Sequence, residues 1–237
     1  MKAIGILGGM GPEATSDFFA KLLSFDKAAR DQDHVHVIIE CDPSIPDRTA
    51  FILGKGPDPL PAMLASARRL EAAGAQIVGI PCMTAHNFLP RLRRLSNLDF
   101  LSALEAMAAT MRGTWPEVRS LGILATAGTK AARLYETYLP GYTVIWPDED
   151  EQNSLVMEAI YGKEGIKAGN RGEYPRSLLV KAAASLAKRG ADAIVAGCTE
   201  VPLALSQEAL AQEALDLPLV DPMVILAKAL IANARGG

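Results

Sequence analysis

Two cysteines follow equivalent apolar runs in this chain, and paired thiols can move a proton at a carbon atom. Cys82 ends the run QIVGIPC, and Cys198 ends the run AIVAGC. Each run has the length and composition of a buried strand. Because ligands of open α/β sheets bind beyond the carboxyl ends of the strands, we expect both thiols at a functional edge. One thiolate and one thiol on opposite faces of a stereocentre could then invert it by proton transfer.

The protonation states of the two thiols would control this chemistry. A free cysteine has a pKa of roughly 8.5, which a helix N-terminus or a nearby cation lowers. Helices are predicted to start near Thr84 and Thr199, so the helix dipole is available to both thiols. The competing interpretation is that each cysteine is a buried hydrophobic residue. No CxxC or HxxxH spacing accompanies them, which argues against a metal site, and Cys41 is interpreted as structural or pocket-lining.

The two cysteines belong to two copies of a longer pattern. GILG starting at Gly5 recurs as GILA starting at Gly122, and GAQIVG starting at Gly74 recurs loosely as GADAIV starting at Gly190. The offset between the copies is nearly the same as that between the two cysteines. We therefore predict two similar α/β lobes, each about half of the chain.

Short apolar runs alternate with segments of helical period, which predicts a parallel sheet. The predicted strands are 2–7, 35–40, 76–80, 120–125, 142–145, 193–196 and 217–220. Helices are predicted for 59–73 and 175–189. Their ends are marked by Gly74 and Gly190, since glycine is the usual C-terminal cap.

The composition argues against several classes of protein. The formal net charge is −3, and no basic patch indicates nucleic acid as a partner. The run Arg91-Leu92-Arg93-Arg94 is interpreted as a solvated helix end, and no apolar run has the length of a membrane span. The first residues, MKAIGILGG, enter a predicted strand at once and leave no room for a cleavable signal. We therefore expect a cytoplasmic protein with reduced thiols and no membrane partner.

Six motifs are spread along the chain: GILGGMGPEAT at 5–15, IPDRT at 45–49, PCMTAH at 81–86, IKAG at 166–169, GCTE at 197–200 and LVDP at 219–222. Together they make the chain resemble the aspartate/glutamate racemase family of cofactor-independent, two-cysteine amino-acid racemases. The resemblance covers nearly the whole chain. It implies an α/β fold of two pseudo-symmetric flavodoxin-like lobes, each a parallel sheet flanked by helices, with the active site in the cleft between them. Lobe 1 would be 1–104, completed by the C-terminal segment 210–237, and lobe 2 would be 105–209.

The resemblance also assigns roles to individual residues. Cys82 and Cys198 match the catalytic pair, which implies racemisation of a small amino acid without pyridoxal phosphate or metal, usually in a homodimer. Arg48 matches a ligand of the substrate carboxylate, a role for which a guanidinium is well shaped. Lys167 matches a lysine that could add positive charge near the site. The remaining residues in the site-lining, substrate-binding motifs are Met10, Gly11, Met83, Thr84, Thr199 and Glu200.

Two of these motif residues have a second interpretation, and two segments depart from the family pattern. Glu200 could cap a helix, and His86 could either tune the Cys82 thiolate or be structural. Where the family usually has Cys-Asn-Thr, this chain has Met83, which cannot donate the hydrogen bonds of the asparagine amide. The segment that contains Asp42 also differs, and we interpret Asp42 as a solvated loop residue.

The expected function is therefore a cofactor-independent racemase of aspartate and/or glutamate, with 1,1-proton transfer between Cys82 and Cys198. Alternatives are a racemase or isomerase of another small carboxylate, including a broad range of amino acids, maleate or a hydantoin, and an inactive relative that only binds a carboxylate. A dinucleotide site is a further alternative, because residues 9–14 fit GxGxxA with Glu40 as a possible ribose ligand. Glu40, however, lies farther along the chain than the expected spacing of about 20 residues.

Overall fold

The computed structural model describes residues 1–236 of the 237-residue chain. The described chain divides into two compact units. The first unit consists of Met1–Met107 together with the chain from Met223 onward, and the second is Ala108–Pro222. Each unit contains its own four-stranded parallel sheet with flanking helices, which confirms the predicted fold class of two α/β lobes.

The two sheets have the same strand order. The strands of the first unit are β1 Ile4–Gly8, β2 Val37–Cys41, β3 Ile77–Gly79 and β4 Asp99–Phe100. Those of the second are β5 Ser120–Leu124, β6 Thr143–Ile145, β7 Ala193–Ala196 and β8 Leu219–Val220. The orders are β2-β1-β3-β4 and β6-β5-β7-β8, and every pairing is parallel. The sequence pattern did not predict β4, because two residues beginning with an aspartate give no apolar run.

Helices surround both sheets. Those of the first unit are α1 Pro12–Phe25, α2 Arg48–Ile52, α3 Leu60–Ala72, α4 Leu89–Leu95 and α13 Pro222–Arg235, and α5 Ala103–Thr114 leads into the second unit. The second unit contains α6 Ala127–Ala131, α7 Leu134–Tyr138, α8 Glu149–Glu151, α9 Glu158–Tyr161, α10 Glu173–Lys188, α11 Val201–Ala204 and α12 Gln207–Gln212. A π-helical segment, Gln152–Met157, joins α8 to α9, and 3₁₀ turns occupy Asp31–Asp33, Thr84–Phe88 and Ile166–Ala168.

The predicted repeat extends to the way in which helices α3 and α10 end. The N–H of Ala75 donates to the carbonyl of Leu70 over 3.0 Å, and the N–H of Ala191 donates to the carbonyl of Leu186 over 3.1 Å. The glycines that precede the two alanines have φ of 95° and 89°, a left-handed conformation that glycine adopts without steric cost. The same backbone device therefore directs each helix into the next strand of its own sheet.

Each unit buries an apolar cluster of its own. The cluster of the first unit includes Leu7, Val78 and Cys82, and that of the second includes Leu124, Ile194 and Cys198. Both cysteines therefore belong to packed apolar clusters, which restricts the motion of their side chains. Among the described residues, no helix is both long and apolar enough to cross a membrane.

The C-terminal boundary of the second unit differs from the expected one. We expected the chain to return to the first lobe at residue 210. Instead, β8 pairs in parallel with β7, with Ile194 opposite Leu219 and Val195 opposite Val220. This strand needs the second sheet for its backbone hydrogen bonds, so the first unit resumes at Met223.

Within the first unit, a buried carboxylate that follows α1 binds the end of α13. Asp26 accepts hydrogen bonds from the Arg235 guanidinium, including one of 3.0 Å from Nε, and from the Val35 N–H over 2.8 Å. His34 Nδ1 lies 2.9 Å from the same carboxylate, whose side chain is only 1% exposed. Burial alone would raise the pKa of Asp26, but the bonds from Arg235, Val35 and His34 outweigh it and lower the pKa.

We expect Arg235→Ala to lower the free energy of unfolding at pH 7 by about 1–3 kcal/mol, because it removes hydrogen bonds to a buried charge. A lowered pKa means that the ionised Asp26 stabilises the fold above its unfolded pKa of about 3.9 and that this contribution disappears as the pH falls through the folded pKa. The difference between wild type and variant should therefore shrink below about pH 4. Urea unfolding at several pH values measures it. Arg30→Ala, which breaks the exposed pair with Asp33, is the control and should change little.

Candidate active site

Each cysteine begins a tight turn at the carboxyl end of the equivalent strand of its unit. The Cys82 carbonyl accepts a hydrogen bond of 3.2 Å from the Ala85 N–H, and the Cys198 carbonyl accepts one of 3.0 Å from the Val201 N–H. The two residues are exposed by only 5% and 6%. The repeat seen in the sequence thus gives both thiols the same local backbone setting, at the strand ends where α/β sheets bind ligands.

His86 anchors the turn that follows Cys82. Its Nε2 accepts a hydrogen bond of 3.0 Å from the Ala103 N–H, so its Nδ1 carries the proton and donates to the Cys82 carbonyl over 3.0 Å. Burial lowers the pKa of His86 to about 4, although its hydrogen bonds to backbone raise it slightly. Because both ring nitrogens bind backbone groups and the ring stays neutral, the structural interpretation of His86 is the better one.

Arg48 and Met10 meet in the first unit. Arg48, the first residue of α2, is 7% exposed, and its Nη1 donates to the carbonyls of Ile45 and Pro46 over 3.2 and 3.0 Å. Its Nη2 donates to the Met10 carbonyl over 3.1 Å. The guanidinium therefore connects the IPDRT loop to the loop after β1, and several of its donors are already engaged by backbone carbonyls.

Met83 and Thr84 follow Cys82 directly and share its burial. Met83 is 2% exposed and Thr84 is 5% exposed, and Thr84 begins the 3₁₀ turn. Neither position starts the α-helix expected there, since α4 begins only at Leu89. The residues after Cys82 therefore form a 3₁₀ turn where the start of an α-helix was predicted.

In the second unit, four predicted site residues form one hydrogen-bonded chain. The Cys198 thiol donates to Glu200 Oε2 over 2.9 Å, and the Thr199 hydroxyl donates to the same oxygen over 3.2 Å. Lys167 forms an ion pair with the other carboxylate oxygen of Glu200. Its Nζ also lies 5.6 Å from the centroid of the Tyr161 ring. Glu200 is 4% exposed and its side chain does not cap α11. Its carboxylate is the centre of this hydrogen-bonded group of side chains.

The environment of Cys198 favours the protonated thiol. Burial raises the pKa of Cys198 well above its usual value, and the negative charge of Glu200 raises it further, while Lys167 acts in the opposite direction. This direction is opposite to the one that a helix start beside the thiol would favour. Helix α11 has only four residues, and a buried carboxylate lies within hydrogen-bonding distance of the sulfur.

Two buried polar residues that the sequence did not indicate lie near the carboxyl ends of β5 and β7. Gln152 is 4% exposed, and its Nε2 donates to the Ala125 carbonyl over 2.9 Å. Tyr135 is fully buried, with its hydroxyl close to Gly197. Neither residue belongs to a motif, and both lie in segments of mixed polarity where the pattern gives no signal.

Two acidic residues considered from the sequence have other roles. Glu40, the ribose ligand required by a dinucleotide site, forms an ion pair of 2.7 Å with Arg69. Asp42 also pairs with Arg69, over 2.9 Å, and accepts a hydrogen bond from the Ser44 N–H, so it is a partly exposed loop residue whose side chain is anchored at the surface. Within residues 1–236, no group of three or more His, Cys, Asp or Glu side chains is arranged to hold a metal ion.

Comparison with known proteins places these features in context. A family model described as Asp/Glu/Hydantoin racemase matches residues 7–230. The broad specificity amino-acid racemase RacX of Bacillus subtilis is 25% identical over 241 residues, which cover 97% of each chain. The aspartate racemase of Picrophilus torridus is 27% identical with a TM-score of 0.82, covering 99% of this chain and 95% of that one. The glutamate racemase of Francisella tularensis, at 17% identity, shares the fold with a TM-score of 0.70, over 99% of this chain and 81% of that one.

Proposed function

Because the chain belongs to the Asp/Glu/hydantoin racemase family, we propose that it racemises amino acids by proton transfer between Cys82 and Cys198, without a cofactor. The observation that carries this proposal is the repeated turn that presents one thiol at the equivalent strand end of each unit. A protein that only binds a carboxylate would not need a thiol at both positions. The proposal includes a homodimer in the cytoplasm, as the resemblance implies.

The mechanism starts from unequal thiols. Since Cys198 holds its proton against Glu200, we assign the first base to Cys82 and the first acid to Cys198. The Cys82 thiolate takes the α-proton, and the electron pair of the broken C–H bond moves into the carboxylate as an enediolate. The Cys198 S–H bond then breaks as its proton is delivered to the opposite face of the carbon. The product is the other enantiomer, with Cys82 as thiol and Cys198 as thiolate.

The remaining site residues would hold the substrate during this exchange. We assign the reacting carboxylate to backbone N–H groups in the turns after the two cysteines, which include Thr84 and Thr199. Preorganised donors of this kind stabilise charge that develops during the reaction. Arg48 would contribute positive charge toward a carboxylate, and Lys167 would act through Glu200 on the Cys198 thiol.

Aspartate and glutamate are the first-choice substrates, and a broader substrate range is the second candidate. Two observations favour the broader range. Met83 offers an apolar, buried side chain beside Cys82, and Arg48 already donates to three backbone carbonyls. An arginine so engaged is less committed to binding a side-chain carboxylate, so neutral amino acids could also be accepted.

Incubation in deuterated water with each L- and D-amino acid tests the proposal. We expect the wild-type protein to exchange the α-proton and invert at least one enantiomeric pair without added pyridoxal phosphate, with aspartate or glutamate fastest. Proton NMR measures the exchange and chiral chromatography measures the inversion. Faster turnover of neutral amino acids would support the broader range. No exchange with any amino acid in the panel would contradict both candidates.

A further inference from the structure

Gln152 presents a buried hydrogen-bond acceptor for which the protein supplies no partner. Its amide orientation is determined, because the Ala125 carbonyl can only accept and therefore requires Nε2 as the donor. The amide oxygen, Oε1, is then the free end, and within residues 1–236 it has no hydrogen-bond partner. Gln152 begins the π-helical segment, and such segments are frequent at functional sites.

Gln152 lies near the strand end that carries Cys198. Ala125, to which the amide is bonded, directly follows β5, and a Cβ built on Gly197 would lie 2.9 Å from the Ala125 Cβ. Gly197 immediately precedes Cys198 in the chain. The free oxygen is therefore held next to the same strand ends as the thiol.

Tyr135 adds a second polar atom of the same kind. Its hydroxyl lies 3.0 Å from the position that a Cβ on Gly197 would occupy, and it has no partner among the described residues. The ring itself is 0% exposed. Buried polar atoms normally have partners, so an unpartnered acceptor and an unpartnered donor at one sheet edge indicate that a ligand completes them.

We propose that the Gln152 amide oxygen accepts a hydrogen bond from the ammonium group of the amino acid bound at this edge. The inference rests on the proposed function, since it names the group that would recognise the α-amino end of that substrate. An ammonium group consists only of donors and carries a positive charge, which makes it the natural complement of a lone amide oxygen. The Tyr135 hydroxyl is available as a donor to the anionic end of the same molecule.

Two ligands that differ only in the amino group separate this role from a structural one. Aspartate and succinate serve as the pair, or glutamate and glutarate if the panel favours glutamate. Calorimetric titration measures both, since interconversion of enantiomers releases no heat. We expect Gln152→Met to weaken binding of the amino acid by about 10- to 100-fold, which is the usual effect of losing a hydrogen bond to a charged group. Binding of the dicarboxylate should weaken by less than about 3-fold.

Two further variants complete the design. Gln152→Glu keeps an acceptor, although it loses the donor to the Ala125 carbonyl, and should bind the amino acid more tightly than Gln152→Met does. Gln207→Met is the matched control, because the Gln207 amide in the same unit already bonds the Leu217 carbonyl and the Leu219 N–H. It should leave the affinities for both ligands unchanged.

Each outcome is decisive. An equal loss of affinity for both ligands in Gln152→Met would mean that the residue only supports Ala125 structurally. That result would overturn the inference but would leave the proposed racemisation by the wild-type protein unaffected. Unchanged affinities would overturn it as well. A wild-type protein that neither exchanges α-protons nor binds amino acids would instead remove the proposed function, and this inference with it.

Discussion

Cys82→Ser and Cys198→Ser should each reduce inversion of the preferred amino acid by a factor of about 10³ or more. A serine hydroxyl has nearly the shape of a thiol but ionises far less readily, so it can replace neither base nor acid at neutral pH. The size of the loss follows from the contribution of general acid–base catalysis, roughly 10²–10⁴-fold for one group. Chiral chromatography measures inversion, and exchange in deuterated water measures proton removal alone.

The two serine variants should also differ from each other in a specific way. In the proposed mechanism each variant retains one thiol on one side of the substrate carbon. Any remaining α-proton exchange should therefore be confined to one enantiomer, and to opposite enantiomers in the two variants. Cys41→Ser is the matched control, since Cys41 is exposed at the end of β2 and should retain full activity. Full inversion by either serine variant would contradict the two-base mechanism.

Glu200→Gln should slow racemisation by about 10- to 100-fold and should lower the pKa of Cys198. Burial is the largest cause of the raised pKa, and the negative charge of Glu200 is the next. Glutamine keeps the shape but removes that charge, and it leaves the ammonium of Lys167 without its carboxylate beside the thiol. The expected loss of activity reflects a missing charge-assisted hydrogen bond to Cys198, the proposed acid.

Lys167→Met should shift the same thiol in the opposite direction. Lys167 lowers the pKa of Cys198, so its removal leaves burial and Glu200 unopposed and raises the pKa further. The chain has three cysteines, and replacing Cys41 and Cys82 by serine leaves Cys198 as the only thiol. The pH dependence of thiolate ultraviolet absorbance then reports Cys198 alone. A pKa that stays constant or rises in Glu200→Gln would show that Glu200 does not control this thiol.

The positions of the two cysteines could be predicted from the sequence because their signals are local. An apolar run that ends in cysteine predicts a strand followed by a thiol, and Gly74 and Gly190 mark where helices must end. The recurrence of both signals at nearly one offset was sufficient to predict two similar parallel sheets. Strand β4 and the true end of the second unit were not predictable in this way, because short strands depend on their neighbours for hydrogen bonds.

What the sequence alone determined is therefore the fold class, the repeat and the residue types available for the proposed proton transfer. Only the tertiary structure decided which contacts those residues make. Glu200 meets Lys167 from 33 residues away, Arg48 meets Met10 from 38 residues away, and Gln152 meets Ala125 from 27 residues away. Such contacts depend on burial and on which side chains the packed strands bring together. For this reason the raised pKa of Cys198, the structural role of His86 and the free oxygen of Gln152 could be recognised only in the folded chain.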